Sequence, residues 1–428
     1  MNKLEIKNLY KIFGKDGLRA YELIRNGVSL DEVRGCLDAF PAVVDASFDV
    51  KEGEIFVVMG LSGSGKSSLV RCMNRLYEPT AGSISIDGVD LTRLSQKELR
   101  RLRLEKISMV FQHFALFPHY SVLENTGWGL EVKGVDKAAI KTKALEALEM
   151  VGLSGWEDKY PHQLSGGMQQ RVGLARALAT DTNILLMDEA FSALDPLIRN
   201  EMQQQLVMLQ GDLQKTVVFI THDLNEAMYL GDRIAIMKDG HIEQIGTAED
   251  ILRNPATEYV AAFIEQVDRS RVLTAGSIMS EPVAVLPIWE GPSAALRTMR
   301  ERQVSALHLV GPKQYLLGVV YADEVISAVR TGESELEPLV HPEVPAVGQS
   351  TPIADLLVSS AEYMLPLPVV EEGKLVGVVP RVALLMALGE RVNASNGNGD
   401  GDVSAGVSNP ARERELQTVG VSSASSAK

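Results

Sequence analysis

The chain has 428 residues, 45% of them apolar and 23% charged, and a formal net charge of −14. That length implies more than one folded core, and the acidic balance argues against a nucleic-acid binder, because phosphate contacts need a basic face. No apolar run approaches the ~20 residues that cross a bilayer, the charged Met1-Asn2-Lys3-Leu4-Glu5 start lacks a signal-peptide core, and Cys36 and Cys72 show no metal-ligand spacing and suit a reduced compartment.

Residues 1 to about 267 read as one α/β domain. Tyr10 and Phe13 lie on an N-terminal strand ahead of Gly14. Residues 15–45 read as an inserted helix pair. Leu18, Tyr21, Leu23 and Ile24 give one apolar face, and Ser29 with Glu32 forms a capping box ahead of Leu30, Val33, Cys36 and Leu37. Packing, rather than chemistry, is expected of it.

Glu54 to Met59 is a short, fully buried strand, and the helix after Lys66 is expected to carry Leu69, Val70, Met73 and Leu76 toward a core. Between them Gly60-Leu61-Ser62-Gly63-Ser64-Gly65-Lys66-Ser67, continued by Ser68, fits G-x-x-x-x-G-K-[ST] at every position. The glycines let backbone N–H groups face a phosphate at the positive end of the helix. Lys66 is placed to bridge the β- and γ-phosphates, and the Ser67 hydroxyl to ligate Mg²⁺.

Residues 113–170 are helix-rich, with an amphipathic stretch from Ala138 to Val151. They lead into Leu164-Ser165-Gly166-Gly167-Met168-Gln169-Gln170, where a serine and glycine N–H groups at a helix start make an anion site. About 120 residues beyond the phosphate loop, the apolar strand Ile184 to Met187 ends in two carboxylates. Asp188 can hold Mg²⁺, and Glu189 can polarise the water that attacks the γ-phosphate. Ser192-Ala193-Leu194-Asp195 follows at once. Gln112 ends a β-like run, and His222 ends the run Val217 to Ile220.

Residues 272–390 hold an internal repeat. Leu307 to Val310 and Leu317 to Val320 are echoed by Pro366 to Val369 and Val376 to Val379, and each half closes on an apolar helix, Val325–Val329 and Val382–Leu388. Two stacked α/β units are expected. From Arg391 the composition falls to Asn, Gly, Ser, Asp and Ala, which predicts a disordered tail over 391–428.

These motifs, in this order, resemble the ATP-binding subunit of an ABC transporter. The early insertion, the terminal repeats and the stretches Glu54 to Ser68, Met109 to Pro118, Ile184 to Arg199 and Gly231 to Met237 look like the subunit that drives glycine betaine/L-proline importers. The resemblance covers the chain to about residue 390. It implies an α/β P-loop NTPase, an ABC-type nucleotide-binding domain with a helical subdomain near 113–170, followed by tandem CBS domains.

The resemblance assigns further roles. Gln112 reports the γ-phosphate and touches Mg²⁺ or the nucleophilic water; His222 is the switch histidine. Phe13, or alternatively Tyr10, stacks on adenine. Ser165, Gly166, Gly167, Gln169 and Asp195 meet the nucleotide of a second, head-to-tail copy, so hydrolysis of ATP requires a homodimer.

The implied partners are an integral-membrane permease and a separate substrate-binding protein, with this subunit peripheral on the cytoplasmic face. Asp323 sits where CBS pairs hold a ribose, while Val382 occupies the equivalent place in the second repeat. A bound adenine or cyclic dinucleotide, a response to ionic strength and simple packing all stay open for this region. Its acidic side chains outnumber the basic ones about two to one, which disfavours attraction to anionic lipid. Choline, carnitine or another amino-acid derivative is the alternative cargo. A non-transport ABC ATPase of DNA repair, chromosome structure or translation is disfavoured by the charge and by the lack of zinc cysteines.

Overall fold

Leu4, Ile6 and Leu9 turn inward along β1 (Asn2–Phe13) and anchor the first sheet. The computed structural model describes residues 2–389 apart from 113, 193, 266 and 268, so the expected disordered tail lies outside the described residues. Next come α1 (Gly17–Arg25) and α2 (Leu30–Cys36), which close a small core of Ile12, Ala20 and Val33. Ser29 and Glu32 make the expected capping box, whereas Leu18 points outward, 70% exposed. The inserted helices end at Cys36. Residues 40–45 are already strand, because Ala42, Val43 and Val44 of β2 (Phe40–Lys51) are buried within the protein.

β3 (Ile55–Met59) is buried throughout. The phosphate loop then runs into α3 (Lys66–Met73), which buries Leu69, Val70 and Met73. It stops before Leu76, which is half-exposed instead of reaching the core. β4 (Ala81–Ile86) and β5 (Val89–Asp90) form a hairpin whose Asp87-Gly88 turn has positive φ at both residues, the turn that matches strand twist. The first sheet has the order β2-β1-β4-β5.

α4 (Gln96–Lys106) leads to β6 (Ile107–Val110). The helices α5 (Val122–Val132), α6 (Lys137–Met150) and α7 (Gly166–Ala179) pack on one another as a helical layer. Then follow β7 (Ile184–Asp188), α8 (Pro196–Leu213), β8 (Thr216–Thr221), α9 (Leu224–Leu230), β9 (Arg233–Lys238) and β10 (His241–Gly246). The central sheet has the order β10-β9-β3-β8-β7-β6 and is parallel except for β10. Its inner strands are continuous Val/Ile/Leu/Phe runs because both faces are covered. The carboxyl ends of β3, β6, β7 and β8 open on one side, where such sheets bind ligands.

α10 (Ala248–Arg253), α11 (Glu258–Ile264), α12 (Arg269–Val272) and α13 (Ala275–Ile278) connect to the repeats. The first repeat holds β11 (Val285–Pro287), α14 (Pro292–Arg302), β12 (Ala306–Val310), β13 (Leu316–Tyr321) and α15 (Ala322–Thr331). The second holds β14 (Val347–Gly348), α16 (Ile353–Glu362), β15 (Leu367–Glu371), β16 (Lys374–Val379) and α17 (Arg381–Gly389). In both, the first strand pairs parallel and the third antiparallel with the middle one, so the sequence repeat is a structural repeat.

The repeats differ in what they pack on. The first has its own core around Leu286, Leu307 and Val325. The second, through Ile353, Leu356, Leu367 and Leu384, belongs to one continuous core with Leu224 and Ala227 of α9.

Candidate functional site

The phosphate loop is shaped by close backbone approach. A Cβ on Gly65 (φ +101) would sit 2.0 Å from the Ala42 carbonyl oxygen, and one on Gly60 would sit 2.2 Å from that of Met237. Only glycine fits at either place. Lys66 heads α3 and is 4% exposed. Its Nζ donates to the carbonyls of Gly60 (2.9 Å) and Leu61 (3.0 Å) and lies 3.8 Å from Glu189 Oε1. Burial pulls the ammonium pKa down, against the opposing pull of Glu189 and Asp188. Leu61, Ser62 and Gly63 face solvent, while Ser64 Oγ is buried without a hydrogen-bond partner.

Ser67 and Arg71 are one turn apart on α3, so both reach the end of β7. Ser67 Oγ donates to Asp188 Oδ1 at 2.8 Å and Arg71 Nη2 lies 3.2 Å from Asp188 Oδ2, with Asp188 only 1% exposed. Arg71 also donates to the Tyr77 hydroxyl at 3.0 Å. The glycine cradle, the unpartnered Ser64 hydroxyl and the adjacent Ser67 and Asp188 oxygens fit a nucleoside triphosphate with a divalent cation. Ser68 continues α3 behind them.

Glu189 follows Asp188 with φ +46, a backbone conformation costly for a glutamate and seen where structure over-determines it. Its N–H donates to Ile220 O (3.1 Å), which ties it to β8. Gln112 Nε2 donates to Glu189 Oε2 at 3.2 Å, and His222 Nδ1 lies 3.2 Å from the same oxygen. Three residues from three other segments, Lys66, Gln112 and His222, thus converge on the Glu189 carboxylate.

Ser165 caps α7, its hydroxyl accepting from Met168 N–H at 3.3 Å. Gly166 lies beside the Phe114 ring and Gly167 against Ile198 of α8, while Gln169 donates to Leu164 O. Asp195 caps α8 through Ile198 N–H. Among the described residues no hydrogen bond or ion pair joins these groups to the chain's own phosphate loop. Arg176 of α7 donates to Ala115 O (2.7 Å) and Phe114 O (3.2 Å), holding the loop after Gln112. Beside that loop is a cleft of about 530 Å³, lined in part by Phe111, Phe117, Trp128 and Arg176.

Phe13 packs edge-on to Tyr77 with Lys11 Nζ 4.7 Å from its ring centre. Tyr10 packs edge-on to Tyr21 of α1. Asp323 is exposed in the first turn of α15; its neighbour Glu324 meets His341 at 2.9 Å. Val382 is exposed at the start of α17.

The sequence reading missed Arg71 and the set Thr221, Gln203 and Glu226. The spacing of Ser67 and Arg71 at i and i+4 on one helix was a usable signal. A glutamate on the face shared with Leu224, Ala227 and Leu230 was another.

Fold and loops together define an ATP-binding cassette carrying a CBS pair. The ABC transporter family model matches residues 43–192, and the CBS domain model matches residues 335–390. The chain is 49% identical to the glycine betaine/carnitine transport ATP-binding protein GbuA of Listeria monocytogenes, over 92% of this chain and 100% of that one. It is 50% identical to the glycine betaine transport ATP-binding protein OpuAA of Bacillus subtilis, over 92% and 95%. Among solved structures, cbiO1 from Clostridium perfringens, part of an ABC transporter complex, is similar with a TM-score of 0.50 and 25% identity, over 62% of this chain and 94% of that one. The chain belongs to the family of ATP-binding subunits of glycine betaine-type ABC transporters.

Proposed function

We propose that this chain hydrolyses ATP to drive import of glycine betaine or proline-type osmoprotectants. The observation that carries the reading is the convergence of Gln112 and His222 on Glu189 Oε2, beside Lys66 and the glycine cradle. Glu189 takes the part of general base toward water, His222 that of γ-phosphate contact and orienting group, and Lys66 that of bridge between phosphates. Ser67 and Asp188, with Gln112, would hold Mg²⁺, which when bound neutralises charge on the phosphate oxygens. In the structure Lys66 rests on its own loop carbonyls.

Ser165, Gly166, Gly167, Gln169 and Asp195 serve the nucleotide of a second copy, so the working unit is a homodimer. The cleft beside the Gln112 loop is the docking place for a membrane permease, because Arg176 ties that loop to α7, the helix that Ser165 caps. No described helix is long and apolar enough to cross a membrane, which suits a peripheral subunit on the cytoplasmic face. A separate binding protein would recognise the cargo cation through aromatic faces. Choline or carnitine is the second reading of the cargo, since no residue here meets it. Uptake of labelled glycine betaine, choline and proline by cells lacking this subunit separates the readings. Undiminished glycine betaine uptake would refute the first.

Asp323 is the residue on the repeats that would hold the ribose of an adenine or cyclic dinucleotide. The test uses the full chain with Lys66→Ala, so that binding elsewhere is silenced. Calorimetry should then show a site weakened by Asp323→Ala, and no heat at all would leave the repeats a packing module.

A further inference from the structure

His222 has a side chain 54% exposed, and its one described partner is Glu189. What holds its ring is therefore the backbone turn that carries it. Its chain neighbours are fixed together. Thr221 Oγ1 accepts from Asp223 N–H at 2.9 Å and donates its own proton to Glu226 Oε2. The Asp223 carboxylate caps α9 by accepting from Asn225 and Glu226 N–H groups. The second Glu226 oxygen accepts from Gln203 Nε2 of α8 at 3.0 Å.

Glu226 is 6% exposed and Gln203 8%. Leu224, Ala227 and Met228 around them belong to the main core. Burying a carboxylate is unfavourable compared with an apolar side chain of similar volume, even when its oxygens are satisfied. Its presence here needs a reason other than stability. α8 opens at Asp195, so the buried pair joins the histidine turn to the helix that presents Asp195.

We propose that Glu226 is the positioning residue for His222: through Thr221 it fixes the turn that aims the imidazole at Glu189, and through Gln203 it sets that turn against α8. Glu226 never meets nucleotide; it acts only through the place it gives His222. The inference rests on the reading of His222 given above.

The test is a double-variant cycle on the full chain, reading kcat and KM for ATP. Glu226→Ala should lower kcat about 10- to 100-fold while KM for ATP stays within about twofold. Glu226→Gln should recover most of the rate, because its amide oxygen still accepts from Thr221 and its amide nitrogen meets a flipped Gln203. In a His222→Ala background, Glu226→Ala should add no further loss. If Glu226→Ala does not fold, Thr221→Val removes the hydroxyl with nearly the same shape and carries the same expectations. A wild-type kcat in these variants, or a loss that multiplies with that of His222→Ala, overturns the inference. A wild-type rate in His222→Ala alone instead overturns the reading of the histidine.

Discussion

His222 Nδ1 lies 3.2 Å from Glu189 Oε2, although 33 residues separate the two in sequence. Adjacent parallel strands carry them: β7 ends at Asp188 and β8 at Thr221, and the pair stands just beyond both ends. In the proposed function the contact connects a base for water to a group that senses phosphate.

Glu189→Gln keeps shape and hydrogen bonds but not basicity. ATP affinity should change little, while turnover falls about 10²-fold or more and a dimer persists with ATP on size-exclusion chromatography. Near-normal hydrolysis would remove Glu189 from the role of base.

The two aromatic candidates for adenine pack on different partners. Tyr10 is committed to Tyr21 on the inserted helix α1, whereas Phe13 lies by Lys11 and Tyr77 at the end of β1. Loss of a base–aromatic stack is worth about 1–3 kcal/mol, so Phe13→Ala should raise KM for ATP roughly tenfold. Tyr10→Ala should act on thermal stability instead. The reverse pattern would reassign the stack.

His308 on β12 is 5% exposed with Nε2 unpartnered, and burial pushes its imidazole down to about 4 from the usual 6.5. The unfolded chain binds a proton below pH 6.5 that the folded chain refuses until about pH 4. Stability is therefore full above the unfolded value and falls as pH drops across that window, by about 3 kcal/mol in total. His308→Leu should unfold with a shallower pH dependence than the wild type between these limits. Parallel melting-point curves would contradict this.

The residues whose chemistry depends on local spacing were legible in the sequence. The glycine loop, the strand ending in Asp188 and Glu189, and the cap at Ser165 each carry their signal within ten residues. The repeat was legible because two halves echo each other. What escaped depends on distant partners. Local pattern can single out Glu226 and Arg71, but their partners lie far off in sequence, Gln203 on another helix and Asp188 at the end of another strand. The end of the insertion was not legible, because the apolar pattern of Ala42 to Val44 suits strand and helix alike until its partners on β1 are known. Leu76 fitted helical periodicity, but α3 ends first.

In the proposed homodimer each ATP site is shared between two chains, with Lys66 from one and Ser165 from the other. Lys66→Ala and Ser165→Arg should each abolish ATPase activity when pure. Mixed and allowed to exchange, they form dimers in which one site carries both defects and the other is intact. The mixture should show ATPase activity well above either variant alone. A mixture no more active than its components, or a Ser165→Arg variant that keeps the wild-type rate, would contradict it.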